Sequence, residues 1–523
     1  MSATLLALLF SGLVQALVSP PLNWAFLHPL AWVPAFWVFA RLDGGRAFFA
    51  GWLVGTSANV AIFYWLAPVV NRFLGIPSPL AVLALLLYAA ATGLYVALFA
   101  WGFQPIRRAA GAAWPLAIAA WFCALEFVNP QLFAYSQGAG WYQVPRVFLI
   151  TSLTGVSGMS FLVMLCNAVA YQGLESIAGG GGARRRAFTL NAAGLLALVA
   201  AAVGYSTVRL AAVERAEAAA RPLEIALIQP NTTIERRDEL LRAPPGAPAR
   251  DLVALSREAA ARARRRVDAF VWPEGALQES PAAPHHVEVR DLARATGAEV
   301  WSGAYHRVPA GNGLDVRYNS AYRVGADGTV DGRYDKSVLV PFAEYVPLKD
   351  VVPGFDRIRL PGDFEAGHGA KVYSAGGARI AFLICYESIA TAYVRTAVRQ
   401  GANLLVNVSL DSWFGQSSEL SQHLMLASIQ SAQFGVPLVR STTTGLSAFV
   451  DARGVITART EMSTRSALVR TVRPVRVPSP YARYGDWFGW TCVAGTAVLL
   501  ASAARRRPDR RRSPGAPGRP EAA

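Results

Sequence analysis

Cys385 closes the apolar run ARIAFLIC and precedes a stretch of helical pattern from Ser388 to Arg399 that stops at Gly401. A strand-to-helix turn of this kind exposes a side chain and aims backbone N–H groups at it. A helix N-terminus there favours the thiolate, and the N–H groups that follow can receive a developing oxyanion. Taken alone, a cysteine after Ile384 is more often core packing than a nucleophile. Two other residues change that balance. Glu274 lies in VWPEG, where a buried strand delivers a carboxylate at its carboxyl end, and a half-apolar setting raises a carboxyl pKa towards the range of a general base or acid. Lys336, in RYDKSVLVPFAEYVP, also follows a strand, and beside a thiolate it supplies a counter-charge and an oxyanion donor. The plain alternatives for these two are a loop carboxylate paired with arginine and a surface lysine. Cysteine, carboxylate and lysine together are the parts of acyl chemistry through a thioester. The other three cysteines, Cys123, Cys166 and Cys492, fall inside apolar spans, so Cys385 has no partner in the polar part of the chain. Neither a disulfide framework nor a cysteine zinc site can be assembled there.

The elements that must hold these residues alternate. LEIALIQ, AFVWPE, EVWSGAYH, ARIAFLIC and ANLLVNVS read as strands, separated by helical patterns around Leu252 to Val267, Val287 to Thr296 and Ser388 to Arg399. NSAYRVGADGTVDGRYDK and SAFVDARGVITART are hairpin signals with Gly-containing turns. The pattern is that of a layered α/β domain with mixed strands.

The rest of the chain is of another kind. Of 523 residues, 53% are hydrophobic and only 16% charged, a mixture too apolar for an ordinary soluble protein, and the excess lies before about residue 210 and after about 487. A bilayer core takes about 20 apolar residues as helix. About eight stretches qualify as transmembrane helices: 3–19, 24–41, 46–67, 79–104, 113–128, 147–172, 189–209 and 486–503. The first has the alternative of a signal peptide, but lacks a basic leader and a cleavage site. Arginines gather in alternate short links: Arg41 and Arg46, Arg107 and Arg108, Arg184 to Arg186, and the tail from Arg505 to Arg512. By the positive-inside rule both termini face the cytoplasm and the domain between the seventh and eighth spans faces out. The net charge of +16 is accordingly an orientation signal, and nucleic acid is not the expected partner. Trp65, Trp101, Trp114, Trp121, Trp141 and Tyr142 suit an interfacial belt, and Glu126, ionisable at membrane depth, is expected to line a path or make a structural hydrogen bond.

WPEG, YDKSVLVPFAEYVP and ICYES resemble the Glu, Lys and Cys motifs of the nitrilase (carbon–nitrogen hydrolase) superfamily, in order and at similar separations. The extended lysine motif with Pro341, Phe342, Glu344 and Pro347, together with the spans, resembles the apolipoprotein N-acyltransferase family. That resemblance covers nearly the whole chain, from TSLTGVSGMSFL through LVNVSLDSWFG and PLVRSTTTGLSAFVD. It implies an αββα sandwich in which Glu274 is the base, Lys336 the transition-state stabiliser and Cys385 the nucleophile. Glu344 then corresponds to the family's additional glutamate, Tyr386 and Glu387 follow the nucleophile as in the family, and Trp413 and Phe414 line the site or pack. Three departures stand out. Leu410 occupies a position where the family often has Asn, the tryptophan expected after the Q-x-N motif is not evident near Ile234, and HLMLASIQSAQFGVP replaces an Arg-rich helix.

The implied organisation is a transmembrane domain of seven spans over 1–210, a periplasmic catalytic domain over 222–475, a C-terminal transmembrane helix over 486–503 and a disordered basic cytoplasmic tail over 504–523. The implied reaction moves an acyl chain from a phospholipid, through a Cys385 thioester, to the α-amine of a diacylglyceryl-modified apolipoprotein at the bacterial inner membrane, with no metal or dissociable cofactor. Val351 to Phe364, with Phe355, Ile358, Leu360 and Phe364 amid Pro and Gly, is either a lid over acyl chains or an ordinary surface loop. Two other functions are compatible with parts of the pattern: a membrane-anchored amidase or nitrilase hydrolysing a C–N bond, and a transporter or scaffold with an inactive outer domain.

Overall fold

The β-branched runs between residues 223 and 472 form two six-stranded sheets. In the computed structural model, residues 3–179, 181–244, 246–309, 315–347, 351 and 363–505 are described. The strands are β1 (Leu223–Gln229), β2 (Ala269–Leu277), β3 (Glu299–Pro309), β4 (Asp315–Val324), β5 (Val330–Asp335), β6 (Val372–Ala375), β7 (Ala378–Ile384), β8 (Leu404–Ser409), β9 (Leu438–Thr442), β10 (Ala448–Val450), β11 (Ile456–Arg459) and β12 (Ser466–Val472). One sheet has the order β12-β1-β2-β3-β4-β5 and the other β11-β10-β9-β8-β7-β6. Each has a parallel centre, β1-β2-β3 and β7-β8-β9, with antiparallel strands outside it. The two expected hairpins are β4-β5 and β10-β11.

Strands covered on both faces must be apolar on both, and β1 and β8 are buried along their whole length. Their inner faces meet in one core, where Ile225, Leu227, Val271 and Trp301 pack with Ile380, Phe382 and Leu405. The outer face of the first sheet is covered by the helices Ala247–Arg262 and Val287–Thr296 through Leu252, Leu255, Val289 and Leu292. The helices Thr391–Arg399 and Glu419–Phe434 accompany the second sheet. These are the four layers of the expected αββα sandwich.

Apolar helices precede and follow the sandwich. Ser78–Val128, Val156–Ile177 and Gly182–Ala219 are long and apolar enough to cross a membrane, and a fourth is reached if Gly44–Ile62 and Leu66–Leu74, bent by 62°, form one span. Ala3–Val18, Ala25–Phe39 and Trp487–Ala503 are shorter. Length and apolarity thus single out three or four spans where the sequence pattern suggested eight. Chain breaks account for part of the difference. Ser78–Val128 is interrupted at Gly93 and at Gly111–Ala113, and its segments Leu94–Ala110 and Trp114–Val128 pack on each other through Phe99 and Phe122, 5.1 Å between ring centres. The expected sixth span breaks at Gly155, whose φ of 68° ends the short helix Thr151–Thr154. Helix Gly182–Ala219 runs well past the stretch expected for it. Its Arg209 donates to the carbonyls of Val477 and Pro478, so this helix is anchored on the sandwich itself. Glu126 is buried and accepts the N–H of Gln137 at 2.7 Å, the structural hydrogen bond anticipated for it. Residues 352–362 of the suggested lid and 506–523 of the basic tail lie outside the described residues.

Candidate active site

Glu274 reaches the site through a bulge. Pro273 and Gly275, the latter at φ 61°, interrupt the pairing of β2 with β3 between Trp272 and Leu277, and Glu274 sits in the gap. The bulge lies so close to β3 that a Cβ at Gly303 would come within 2.5 Å of the Glu274 Cα and the Pro273 carbonyl oxygen. Only glycine fits beneath it. The carboxylate is buried, Oε1 accepting from Asn319 Nδ2 at 2.6 Å and Oε2 from the N–H of Leu410 at 2.7 Å. Leu410 therefore serves through its backbone where the family often has a polar side chain.

Lys336 follows β5 and is 1% exposed. Its Nζ lies 2.8 Å from Oε1 and 2.7 Å from Oε2 of Glu344. Glu344 also accepts from the N–H of Val340 at 2.9 Å and from Asn319 Nδ2 at 3.3 Å. Asn319, on β4, thus bridges both carboxylates. Sequence reading missed it, and the only available signal was a polar residue in an otherwise buried strand end, RYNSAYRV.

Cys385 adopts φ 50°, a left-handed conformation that costs a non-glycine residue about 1 kcal/mol or more. Glu387 holds this turn. Fully buried, it accepts hydrogen bonds from Tyr334 Oη (2.6 Å) and from the N–H groups of Ser337 (2.7 Å), Val338 (3.0 Å) and Ile384 (2.8 Å). One carboxylate thereby ties the lysine loop to the cysteine turn. The expected α-helix N-terminus is replaced by a single 3-10 turn, Cys385–Ile389, with the α-helix starting only at Thr391. One such turn has little dipole to offer, so the expected thiolate stabilisation is weak. Burial dominates, pushing the Cys385 thiol well above its ordinary range, with Glu274 pushing the same way and Lys336 opposing. Burial also raises Glu274, against the pull of Lys336 and with a further push from Glu344. Lys336 loses to burial but gains more from Glu344, Cys385 and Glu274, and stays firmly protonated. The resting pair is a neutral thiol beside a carboxylate of raised proton affinity, which suits deprotonation at the moment of attack.

Three of the supporting residues, Tyr386, Trp413 and Phe414, face the N-terminal apolar region. Tyr386 donates to the carbonyl of Leu132 at 2.6 Å. Trp413 packs against Phe73 at 4.9 Å and Phe414 against Trp65 at 5.7 Å, both edge-on, while Gln422 bonds Trp65 Nε1 and the Ile62 carbonyl. Behind them is a buried polar group the sequence did not flag: Arg440 bonds Asp411 at 3.0 Å and Asn407, and His423 lies 3.3 Å from the Cys385 carbonyl oxygen. Glu274, Lys336, Glu344 and Cys385 all open on one cavity of about 730 Å³. The amphipathic helix Leu66–Leu74 also lines it, through Leu66, Val69, Val70 and Phe73.

The sandwich, with half-buried Cys385 grouped with buried Glu274 and Lys336, defines a class, the carbon–nitrogen hydrolases, and the family model described as carbon-nitrogen hydrolase matches residues 224–479. A second model, the apolipoprotein N-acyltransferase N-terminal domain, matches residues 11–169. The chain is 33% identical over 519 residues to the apolipoprotein N-acyltransferase of Geobacter metallireducens, covering 95% of this chain and 94% of that one. It is 31% identical to the Pseudomonas syringae pv. tomato protein of the same name, covering 94% and 96%. The chain belongs to the apolipoprotein N-acyltransferase family. Among solved structures, Saccharomyces cerevisiae Nit3, of the nitrilase superfamily, aligns at 15% identity and TM-score 0.38, covering 49% of this chain and 91% of that one.

Proposed function

We propose that this protein is an N-acyltransferase that moves a fatty acyl chain from a phospholipid to the α-amine of the N-terminal S-diacylglyceryl-cysteine of apolipoproteins, with Glu274, Lys336 and Cys385 as its catalytic residues. Cys385 Sγ attacks the ester carbonyl while Glu274 takes the thiol proton, and the oxyanion develops against Lys336 Nζ and the N–H groups after Cys385. The ester C–O bond then breaks, the proton on Glu274 passes to the glyceryl oxygen, and lysophospholipid leaves. The amine attacks the remaining thioester, Glu274 accepts its proton and returns one to the departing thiol, and the product is an amide. Glu344 and Glu387 position Lys336 and the cysteine turn. Tyr386, Trp413 and Phe414 join the nucleophile's surroundings to the membrane helices.

The observation that carries this reading is the shared cavity, lined both by the catalytic groups and by an apolar helix face suited to acyl chains. Eight helical segments held as spans, both termini in the cytoplasm and the sandwich in the periplasm would bring that cavity to the outer leaflet, where both substrates are anchored. A membrane-anchored C–N hydrolase is not favoured, since the whole-chain relatives are named acyltransferases and the N-terminal model is specific to that family. The test is intact mass spectrometry of the purified protein after incubation with phospholipid, then with a diacylglyceryl-cysteine peptide. An acyl adduct that requires Cys385 and transfers to the peptide is expected. No adduct on the wild type, an equal adduct on Cys385→Ala, or release to water alone overturns the reading.

A further inference from the structure

The rim of the active-site cavity carries three arginines, Arg237, Arg307 and Arg317, alongside one exposed carboxylate, Asp238. Arg237 comes from the helix Ile234–Arg242, in the stretch where the family's tryptophan is missing. Its Nη2 donates to Tyr305 Oη at 2.8 Å, and its guanidinium lies 5.9 Å from the Tyr305 ring centre. Tyr305 stacks on Phe364 at 5.5 Å and 15°, and Arg317 covers Phe364 from 5.2 Å. Two guanidiniums thus bracket two stacked rings. The ladder stands next to the base: a Cβ on Gly275 would meet Tyr305 Oη at 2.7 Å, and Phe364 N–H bonds the Glu344 carbonyl at 3.1 Å.

Arg237 and Arg317 are half-buried and Arg307 is exposed. Arg323, Arg440 and Arg453 each pair with a carboxylate. Among the described residues Arg237, Arg307 and Arg317 pair with none. The Nε atoms of Arg237 and Arg317 are shielded from water and have no hydrogen-bond partner among the described residues. Cationic donors held by rings and left unsatisfied are what a planar or tetrahedral oxyanion recruits. Leu66, Val69, Val70 and Phe73 line the same cavity, so the ligand that matches both parts of the lining is an amphiphile with an anionic head.

We infer that Arg237 and Arg317, with Arg307 at the outer edge, bind the phosphodiester of the acyl-donor glycerophospholipid. This rests on the acyl-transfer reading above. The phosphate anchors the headgroup at the rim while the acyl chains lie along Leu66–Leu74 and the ester between them faces Cys385. The cleaved lysophospholipid keeps the phosphate and the acceptor lipid has none, so the arginines distinguish donor from acceptor in a site that must take both in turn.

The experiment follows Cys385 acylation of the full-length protein in mixed micelles by intact mass, with phosphatidylethanolamine or a diacylglycerol of the same acyl chains as donor. The wild type is expected to prefer the phospholipid in kcat/KM by roughly tenfold or more, the scale of one or two charge-assisted hydrogen bonds. In Arg237→Gln/Arg317→Gln that ratio falls towards one, chiefly through a higher half-saturating phospholipid concentration, and Arg237→Lys/Arg317→Lys retains part of it. Millimolar inorganic phosphate inhibits the wild type little, because a lipid-borne phosphate arrives already tethered. Strong inhibition by phosphate assigns the arginines to a free anion and overturns the inference. So does an unchanged donor ratio in folded Gln variants, or a wild type without preference, which needs no variant to fold. A wild type acylated by neither donor overturns the acyl-transfer reading itself, and the inference with it.

Discussion

Lys336→Met removes the cation that two buried carboxylates share. In the wild type the Lys336 ammonium lies 2.7 Å from Glu344, and its charge also favours the ionised form of Glu274. The substitution leaves Glu344 without its partner, and breaking a buried ion pair from one side costs about 3–5 kcal/mol. It also removes the proposed oxyanion donor, an effect on the order of 10²–10³ in rate. These two losses separate in the double variant Lys336→Met/Glu344→Gln, in which residue 344 no longer needs the missing cation. Its thermal stability is expected to recover most of what the single variant loses, while single-turnover acylation of Cys385 stays about 10²-fold or more below wild type. Lys336 also holds Glu274 down, so in the single variant the acid limb of the pH–rate profile moves to higher pH. Thermal shift in detergent and intact mass at timed quenches read both quantities. If the double variant acylates at the wild-type rate, Lys336 is a structural ion-pair partner and its oxyanion role is wrong.

The raised Glu274 pKa has a sign for activity: the base works when ionised, so acylation falls as pH drops through its folded value, and the limb should lie above the ordinary Glu value of about 4.3. A limb at or below that value refutes the assignment, as does a Glu274→Gln variant that loses less than roughly 10²-fold. Gly303→Ala forces the bulge away from β3 and should cost about 1–3 kcal/mol, with a loss of acylation that outlasts any restored stability. Wild-type acylation rates in a folded Gly303→Ala protein would show that the bulge position does not matter. Glu387→Ala leaves four donors without their acceptor and should lower stability by several kcal/mol, at roughly 1–3 per buried group. Burial raises Glu387 to about 7, so its ionisation opposes folding. The stability associated with this group is full below its unfolded pKa, near 4.5, and declines as pH rises to about 7. A melting profile in which Glu387→Gln leaves that decline unchanged assigns it to other groups.

The sequence by itself determined most of the strands, both hairpins, and the places of Lys336 and Cys385 directly after a strand, whereas Glu274, expected at the end of its strand, sits in a bulge inside β2. Those follow from local pattern, apolar runs and turn residues, while the bulge takes its form from β3 packed beneath it. Tertiary structure decided the protonation logic. The same α-helical pattern that suggested a thiolate at Cys385 begins only at Thr391, and burial beside two carboxylates outweighs one 3-10 turn. It also decided which polar residues matter. Asn319 looks like any strand residue until packing sets it between Glu274 and Glu344, and Leu410 contributes a backbone N–H that no side-chain motif encodes. Helix Glu419–Phe434 is buried along its whole length, so Gln422 bonds Trp65 and Ile62 and His423 meets Ser388 instead of facing water. Amphipathic periodicity reports one buried face, and it is silent when neighbours cover every face. The membrane helices illustrate the same limit, since composition marks apolar stretches while breaks at Gly93, Gly111–Ala113 and Gly155 decide how each stretch folds back on the others.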